Sequence, residues 1–243
     1  MSRGRTSLPP AGTRHSDLEQ RLTIRVGDGE VSALLLRPAD AKALYVFAHG
    51  AGVGMNHPSM ASNAHGLTER GIATLRYQFP YMEKGSGRPD PPPVAHAAVR
   101  AAVTKAGELA PELPLFAGGR SYGGRMSSQA QSIEALPGVR GLVFLGFPLH
   151  PAGKPGIERA DHLETVGIPM LFVSGSRDAL ADIGLLRPLV AGLGERAMLR
   201  VVEGGDHGLR VLVSSGRTNE EAQAEALDAI ATWVTGLAGS AAG

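Results

Sequence analysis

Along this chain short apolar runs alternate with stretches whose apolar residues recur every three or four positions, the rhythm of strands followed by helices. Residues 22–26 alternate, Gly27-Asp28-Gly29 turns, and residues 31–36 continue extended, which predicts an opening β-hairpin. The apolar run 43–48 ends in His49-Gly50-Ala51-Gly52, the pattern of a buried parallel strand feeding a glycine-rich loop. Pro58 suits the first turn of a helix reaching Arg70, Gly71 suits its stop, and residues 72–77 form the next strand. Residues 79–93 are rich in Pro and Gly without apolar periodicity, so a long loop is expected. Val94, Ala98, Val99, Ala102, Val103 and Ala106 then fall at the spacing of a crossover helix over 94–109.

The alternation continues to the end of the chain. A strand over 113–117, a sharp turn and a helix over 125–135 are followed by a strand over 139–147. A second Pro/Gly loop, 150–161, leads into a short helix near 162–166 and a strand over 168–173. A helix over 180–193, weakened by Gly184 and Pro188, precedes the last strand, 198–202. The terminal helix, 219–237, has Thr218 or Asn219 to cap it and Ala222, Ala226, Ile230 and Trp233 on one face. Strands alternating with helices predict an α/β fold: a mostly parallel sheet, an antiparallel N-terminal hairpin, and helices on both faces.

Composition places this pattern in one domain, expected over residues 21–238. With 243 residues, 43% of them hydrophobic and 19% charged, the chain is long enough for one sizeable core. Residues 1–20 are rich in Arg, Pro and Gly and lack the apolar segment of a secretory signal, so a disordered tail is expected there. Residues 239–243 read as a second, flexible tail. No apolar stretch reaches the ~18 residues of a membrane span, and a cytoplasmic protein is expected. A formal net charge of +1 without a basic stripe argues against nucleic acid as a partner. Cysteine is absent, which excludes disulfides, thiolate metal sites and a cysteine nucleophile.

The chemistry is concentrated just after strands. Gly119-Arg120-Ser121-Tyr122-Gly123 is a G-x-S-x-G pentapeptide between an apolar run and a helix, the setting of a nucleophile elbow. Acyl transfer by serine also needs a base, an acid that orients the base, and paired N–H donors for the oxyanion. Asp178, in Gly175-Ser176-Arg177-Asp178, and His207, in Gly204-Gly205-Asp206-His207, follow later strands, which gives the chain order Ser…Asp…His. Asp182 and Asp206 compete with Asp178; the first falls inside the expected helix and the second adjoins the base in sequence. His49 reads as a structural hydrogen-bonder, and His57, His65 and His96 as surface or packing residues. His150 fits either a loop anchor or a substrate contact.

These motifs resemble the α/β-hydrolase superfamily, specifically its small dienelactone-hydrolase-like members, over nearly the whole chain from Thr23 onward. Phe147-Pro148-Leu149-His150-Pro151 with Gly153-Lys154-Pro155 looks like a sub-branch that includes a testis-expressed protein and a chromatin-complex subunit. The resemblance implies a Ser121/His207/Asp178 triad and an oxyanion hole from the N–H groups of Ala51 and Tyr122. It implies no cofactor and no metal, and a small-molecule ester or thioester as partner. The namesake hydrolases use cysteine where this chain has Ser121. Lys84 and Arg88 in the first long loop, Lys154 and Arg159 in the second, and Arg120 beside the serine would favour an anionic substrate wherever they converge on the site.

Two other readings compete. A fold of this kind can lose its chemistry and serve as a binding module, although the full set of Ser121, Asp178 and His207 argues for an enzyme. Gly50-Ala51-Gly52-Val53-Gly54 after a strand, with Arg76 near the end of the next, suggests a dinucleotide site; the G-x-G-x-x-G spacing fails at Met55.

Overall fold

A computed structural model describes residues 19–239. The expected tail segments 1–18 and 240–243 lie outside the described residues. Eight strands form one sheet: β1 Glu19–Val26, β2 Gly29–Leu36, β3 Ala43–Ala48, β4 Ile72–Tyr77, β5 Leu115–Arg120, β6 Val139–Leu145, β7 Met170–Gly175 and β8 Ala197–Val202. Their order across the sheet is β1-β2-β4-β3-β5-β6-β7-β8. β1 and β2 pair antiparallel, as do β2 and β4, and every later pairing is parallel. The opening hairpin closes with Val26 opposite Gly29, and Gly27 takes a positive φ of 58° in the two-residue turn. β1 begins at Glu19, inside the segment expected as tail, because Glu19 pairs with Leu36 and its carboxylate bonds the buried guanidinium of Arg76.

The helices are α1 Pro58–Thr68, α2 Pro80–Glu83, α3 Pro92–Leu109, α4 Tyr122–Ile133, α5 Ile183–Gly192 and α6 Asn219–Gly239. They sort onto two faces by the alternation of the buried strands. In β3, Leu44, Val46 and Ala48 join one core with α3, α4 and α5, while Ala43, Tyr45 and Phe47 join the other with α1 and α6. β6 divides in the same way, with Leu142 and Phe144 on one face and Val143 and Leu145 on the other. Continuous apolar runs thus mark strands covered on both sides. Thr218 forms a reciprocal capping box at α6: its N–H donates to Glu221 (2.8 Å), and the Glu221 N–H donates to the threonine hydroxyl (3.1 Å).

Three local expectations need correction. Residues 79–93 are not wholly loop: α2 occupies Pro80–Glu83, its proline supplying the first helical position. Glu83 ties it to the hairpin by accepting from the Ser32 N–H (2.9 Å) and hydroxyl (2.8 Å). α4 starts at Tyr122 instead of Arg125, since Ser121 itself is the residue that precedes the first turn. α5 starts at Ile183, so Asp182 is its N-cap and not an interior residue; its carboxylate accepts from the Gly184 N–H (2.7 Å).

Candidate active site

Parallel strands deliver their loops to one end of the sheet, and the polar residues singled out above sit there. β5 ends at Arg120, and Ser121 follows with φ 50° and ψ −115°, a backbone region that an L-residue occupies only under constraint. The constraint is visible on both sides. A side chain at Gly119 would run into the Ala48 carbonyl oxygen, and one at Gly123 would put its Cβ 2.5 Å from the His49 carbonyl oxygen. The Ser121 N–H donates to the Leu145 carbonyl (3.0 Å), which holds the turn against β6. Both flanking glycines are therefore required by close packing of the elbow on β3.

β7 ends at Gly175 and leads to Asp178; β8 ends at Val202 and leads to His207. The three side chains meet in a line. His207 Nε2 lies 2.9 Å from Ser121 Oγ, and its Nδ1 lies 2.9 and 2.8 Å from the two oxygens of Asp178. The Asp178 side chain is fully buried, and its Oδ1 also accepts the Leu180 N–H at 2.8 Å. A carboxylate on Nδ1 fixes the tautomer that leaves Nε2 free to accept a proton from Ser121.

The rival carboxylates are engaged elsewhere. Asp182 caps α5, and Asp206 accepts the Gly208 and Arg210 N–H groups at 2.7 and 2.9 Å, folding the loop that carries His207. Leu209 in that loop takes a positive φ of 62°, so the turn is a second constrained segment.

The loop after β3 lies against the elbow: a Cβ on Gly50 would be 3.7 Å from that of Ser121. Ala51 is exposed in this loop, and Tyr122, as the first residue of α4, has an N–H without an intrahelical acceptor. His49 holds the loop from below. Its Nε2 accepts the Phe79 N–H at 3.1 Å, which leaves Nδ1 to donate to the Gly50 carbonyl at 2.9 Å. Burial lowers the His49 pKa to about 4, so the ring is neutral. Phe79 and Tyr81 pack against it, Tyr122 packs on both of them, and the Tyr122 hydroxyl, pushed up to about 12 mainly by burial, stays protonated and donates to the Asp90 carbonyl (3.4 Å).

The remaining candidates separate. His150 is buried, with Nδ1 on the Pro151 carbonyl (2.9 Å) and Nε2 accepting the Asp182 N–H (3.2 Å), so it anchors its loop and has no ring nitrogen to offer a substrate. Lys84, Arg88 and Lys154 are exposed and do not line the cavity of about 490 Å³ that adjoins His207; Arg120 does. Arg76, the residue considered for a dinucleotide phosphate, is 2% exposed, bound to Glu19 and to the Met55 carbonyl (2.9 Å). The cavity also draws on residues that sequence reasoning passed over: Ser59, Ser62 and Asn63 of α1 and Gln223 of α6. Their signal was a polar stripe at positions 59, 62 and 63 beside the buried Met60, Ala64 and Leu67.

A mostly parallel eight-stranded sheet carrying a strained serine elbow, with aspartate and histidine after later strands, defines the architecture of an α/β hydrolase. Residues 41–235 match the family model described as an alpha/beta hydrolase domain, and the chain belongs to that family. Solved structures agree in fold. An alpha-beta serine hydrolase homologue from Coxiella burnetii superposes with a TM-score of 0.69 at 19% identity, over 87% of this chain and 97% of the other. Dienelactone hydrolase from Anabaena variabilis gives 0.68 at 21% identity, over 90% and 95%. A serine hydrolase without a lid from Xanthomonas campestris gives 0.67 at 18% identity, over 88% and 94%.

Among the described residues no helix is long and apolar enough to cross a membrane.

Proposed function

We propose that this protein is a serine hydrolase that cleaves an ester or thioester of a small molecule through an acyl-enzyme. The observation that carries the reading is the hydrogen-bonded line from Ser121 through His207 to buried Asp178. Ser121 Oγ attacks the carbonyl carbon as its proton passes to His207 Nε2. The N–H groups of Ala51, in the loop after β3, and of Tyr122, at the N-terminus of the 12-residue α4, receive the developing oxyanion. Collapse of the tetrahedral adduct breaks the bond to the leaving oxygen or sulfur, which takes the proton from Nε2. Water then repeats the sequence on the acyl-enzyme, with His207 as base, and restores Ser121. Asp178 holds the ring in the working tautomer and balances the imidazolium as it forms.

Replacing Ser121 by Ala tests the assignment on short p-nitrophenyl esters. Loss of the nucleophile should lower kcat by on the order of 10⁴-fold or more. Thermal unfolding should stay close to wild type, because a smaller side chain fills the same constrained turn. A Ser121→Ala protein with wild-type turnover would end the proposal.

A further inference from the structure

The cavity beside His207 is larger than proton transfer needs, and its walls combine apolar surface with a few polar side chains. At about 490 Å³ it has the size of a small-molecule site. Such sites are mostly apolar. Here Leu145 and Leu209 supply apolar wall, and Ser59, Asn63, Arg120 and Gln223 supply polar wall. Its location matters as much as its lining. His207 Nε2 must reach the leaving atom when the adduct collapses, so the leaving group occupies space that borders His207. This cavity, walled by His207, Gly208 and Leu209, is such a space.

Arg120 is held there by one corner. Its Nη1 donates to Ser59 Oγ at 2.8 Å. The Ser59 N–H donates to His57 Nδ1 at 3.2 Å, so that nitrogen is an acceptor, and the Ser59 hydroxyl 2.8 Å away must donate to it as well. The serine oxygen therefore faces Arg120 with a lone pair, and the guanidinium is oriented. Its Nη2 edge lies beside Gly208, where an added Cβ would be 3.1 Å away.

No carboxylate among the described residues forms an ion pair with Arg120. Asp206 is the nearby acid, and it is occupied by the Gly208 and Arg210 N–H groups and, at 3.8 Å, by the Arg210 side chain. His57 to Ser59 form the N-terminus of α1, whose first turn contains no acidic residue, so the helix end adds positive potential to the same wall. An oriented guanidinium, half-buried and with no ion-pair partner among the described residues, is a receptor for an oxyanion.

We propose that this cavity is the leaving-group subsite, and that it selects esters or thioesters whose alcohol or thiol half carries a carboxylate or phosphate, received by the open edge of Arg120. The inference rests on the hydrolase reading above and adds the substrate half that it leaves open. In acylation the Ser121 Oγ–carbon bond forms and the carbon–oxygen or carbon–sulfur bond breaks. The departing atom takes its electron pair and the proton from Nε2, while its anionic end stays on Arg120.

The test compares acetyl esters that differ only in the leaving phenol. Wild-type protein should show a kcat/KM for 3-acetoxybenzoate at least about tenfold above that for neutral 3-acetoxybenzamide, the scale of one charge-assisted hydrogen bond. Added salt should reduce the ratio. 3-Acetoxyphenyl phosphate, run alongside, distinguishes phosphate from carboxylate as the better anion. Arg120→Gln should bring the ratio toward one, and Arg120→Lys, which keeps charge without the fork, should restore part of it. As an acyl-side control, mono-p-nitrophenyl succinate should gain no such advantage over p-nitrophenyl butyrate.

Equal values for the benzoate and the benzamide, in a protein preparation of which a separate sample is labelled on Ser121 by a fluorophosphonate, would overturn the subsite and leave the hydrolase reading standing. A preference confined to the succinate would also overturn it, by moving the anion to the acyl side. No turnover of any ester together with no labelling of Ser121 would overturn both.

Discussion

On the side of Ser121 where the β3 loop lies, Phe79 packs against His49, Tyr77, Tyr81 and Tyr122 with ring centroids 4.9 to 6.4 Å apart. On the side of His207, polar side chains of α1 and α6 surround an open cavity, joined across it by the Gln223 amide on Ser62 (2.9 Å) and Asn63 (2.6 Å). One flank excludes water and owes its rigidity to packed rings. The other keeps dipoles and a charge facing solvent. The difference fits what each would hold in the proposed reaction. The β3 loop needs fixed N–H groups, and His49 can clamp it only as a neutral ring in a dry site. A departing product needs room, and a charged one needs a polar wall.

The largest expected effect lies between the two flanks, on the line that joins them. Asp178→Asn should lower kcat by about 10⁴-fold, near 5.5 kcal/mol of barrier, because an amide on Nδ1 favours the wrong tautomer of His207. Asp182→Asn should leave turnover close to wild type, since Asp182 caps α5 and touches no part of the line. Steady-state kinetics on p-nitrophenyl acetate read both, and the opposite pattern would move the orienting role to Asp182.

Next comes the aromatic flank. Phe79 is fully buried, so Phe79→Ala should cost about 3–5 kcal/mol of stability in chemical denaturation. A cost below about 1 kcal/mol would mean that the rings do not support this side of the site.

A smaller effect is expected from acid. His49 titrates near 6.5 in the unfolded chain and at about 4 when folded, lowered by burial. Between those values the unfolded state binds the extra proton, so stability is full above pH 6.5 and falls as pH drops toward 4. The expected loss between pH 7.5 and 5 is about 2 kcal/mol from this group. His162, lowered to about 4 by burial and by the charge of Arg125, adds in the same direction. His49→Gln should flatten the acid limb of the stability curve, and an unchanged limb would show that the clamp is not titrating.

The two flanks also differ in how far the sequence revealed them. Ser121 and Asp178 each follow an apolar run that forms a buried strand, His207 follows the half-exposed edge strand β8, and strand ends converge in a parallel sheet, so their meeting could be read before any coordinates. The glycine spacing around Ser121 carried its own steric reason. The cavity beside His207 left only a fainter mark, the polar stripe at positions 59, 62 and 63. Ser59 and Gln223 are more than 160 positions apart and meet only because α1 and α6 cover the same face, a packing fact absent from any short window. Arg120 was visible as a neighbour of the serine, whereas its orientation depends on Ser59 and His57, residues that read as ordinary helix-start positions. The loop charges Arg88 and Lys154 were legible as charges and not as positions: a loop's path is set by tertiary anchors such as Glu83 on Ser32 and His150 on Asp182.

The central claim is that Ser121 is a nucleophile activated by His207, and a fluorophosphonate probe followed by peptide mapping tests it most directly. Such a probe forms a stable bond only with a serine whose proton has somewhere to go. The expected result is one labelled peptide, containing Gly119 to Gly123 with the adduct on Ser121, and no labelling in Ser121→Ala. An unlabelled wild-type protein, or an adduct on any other residue, would contradict it.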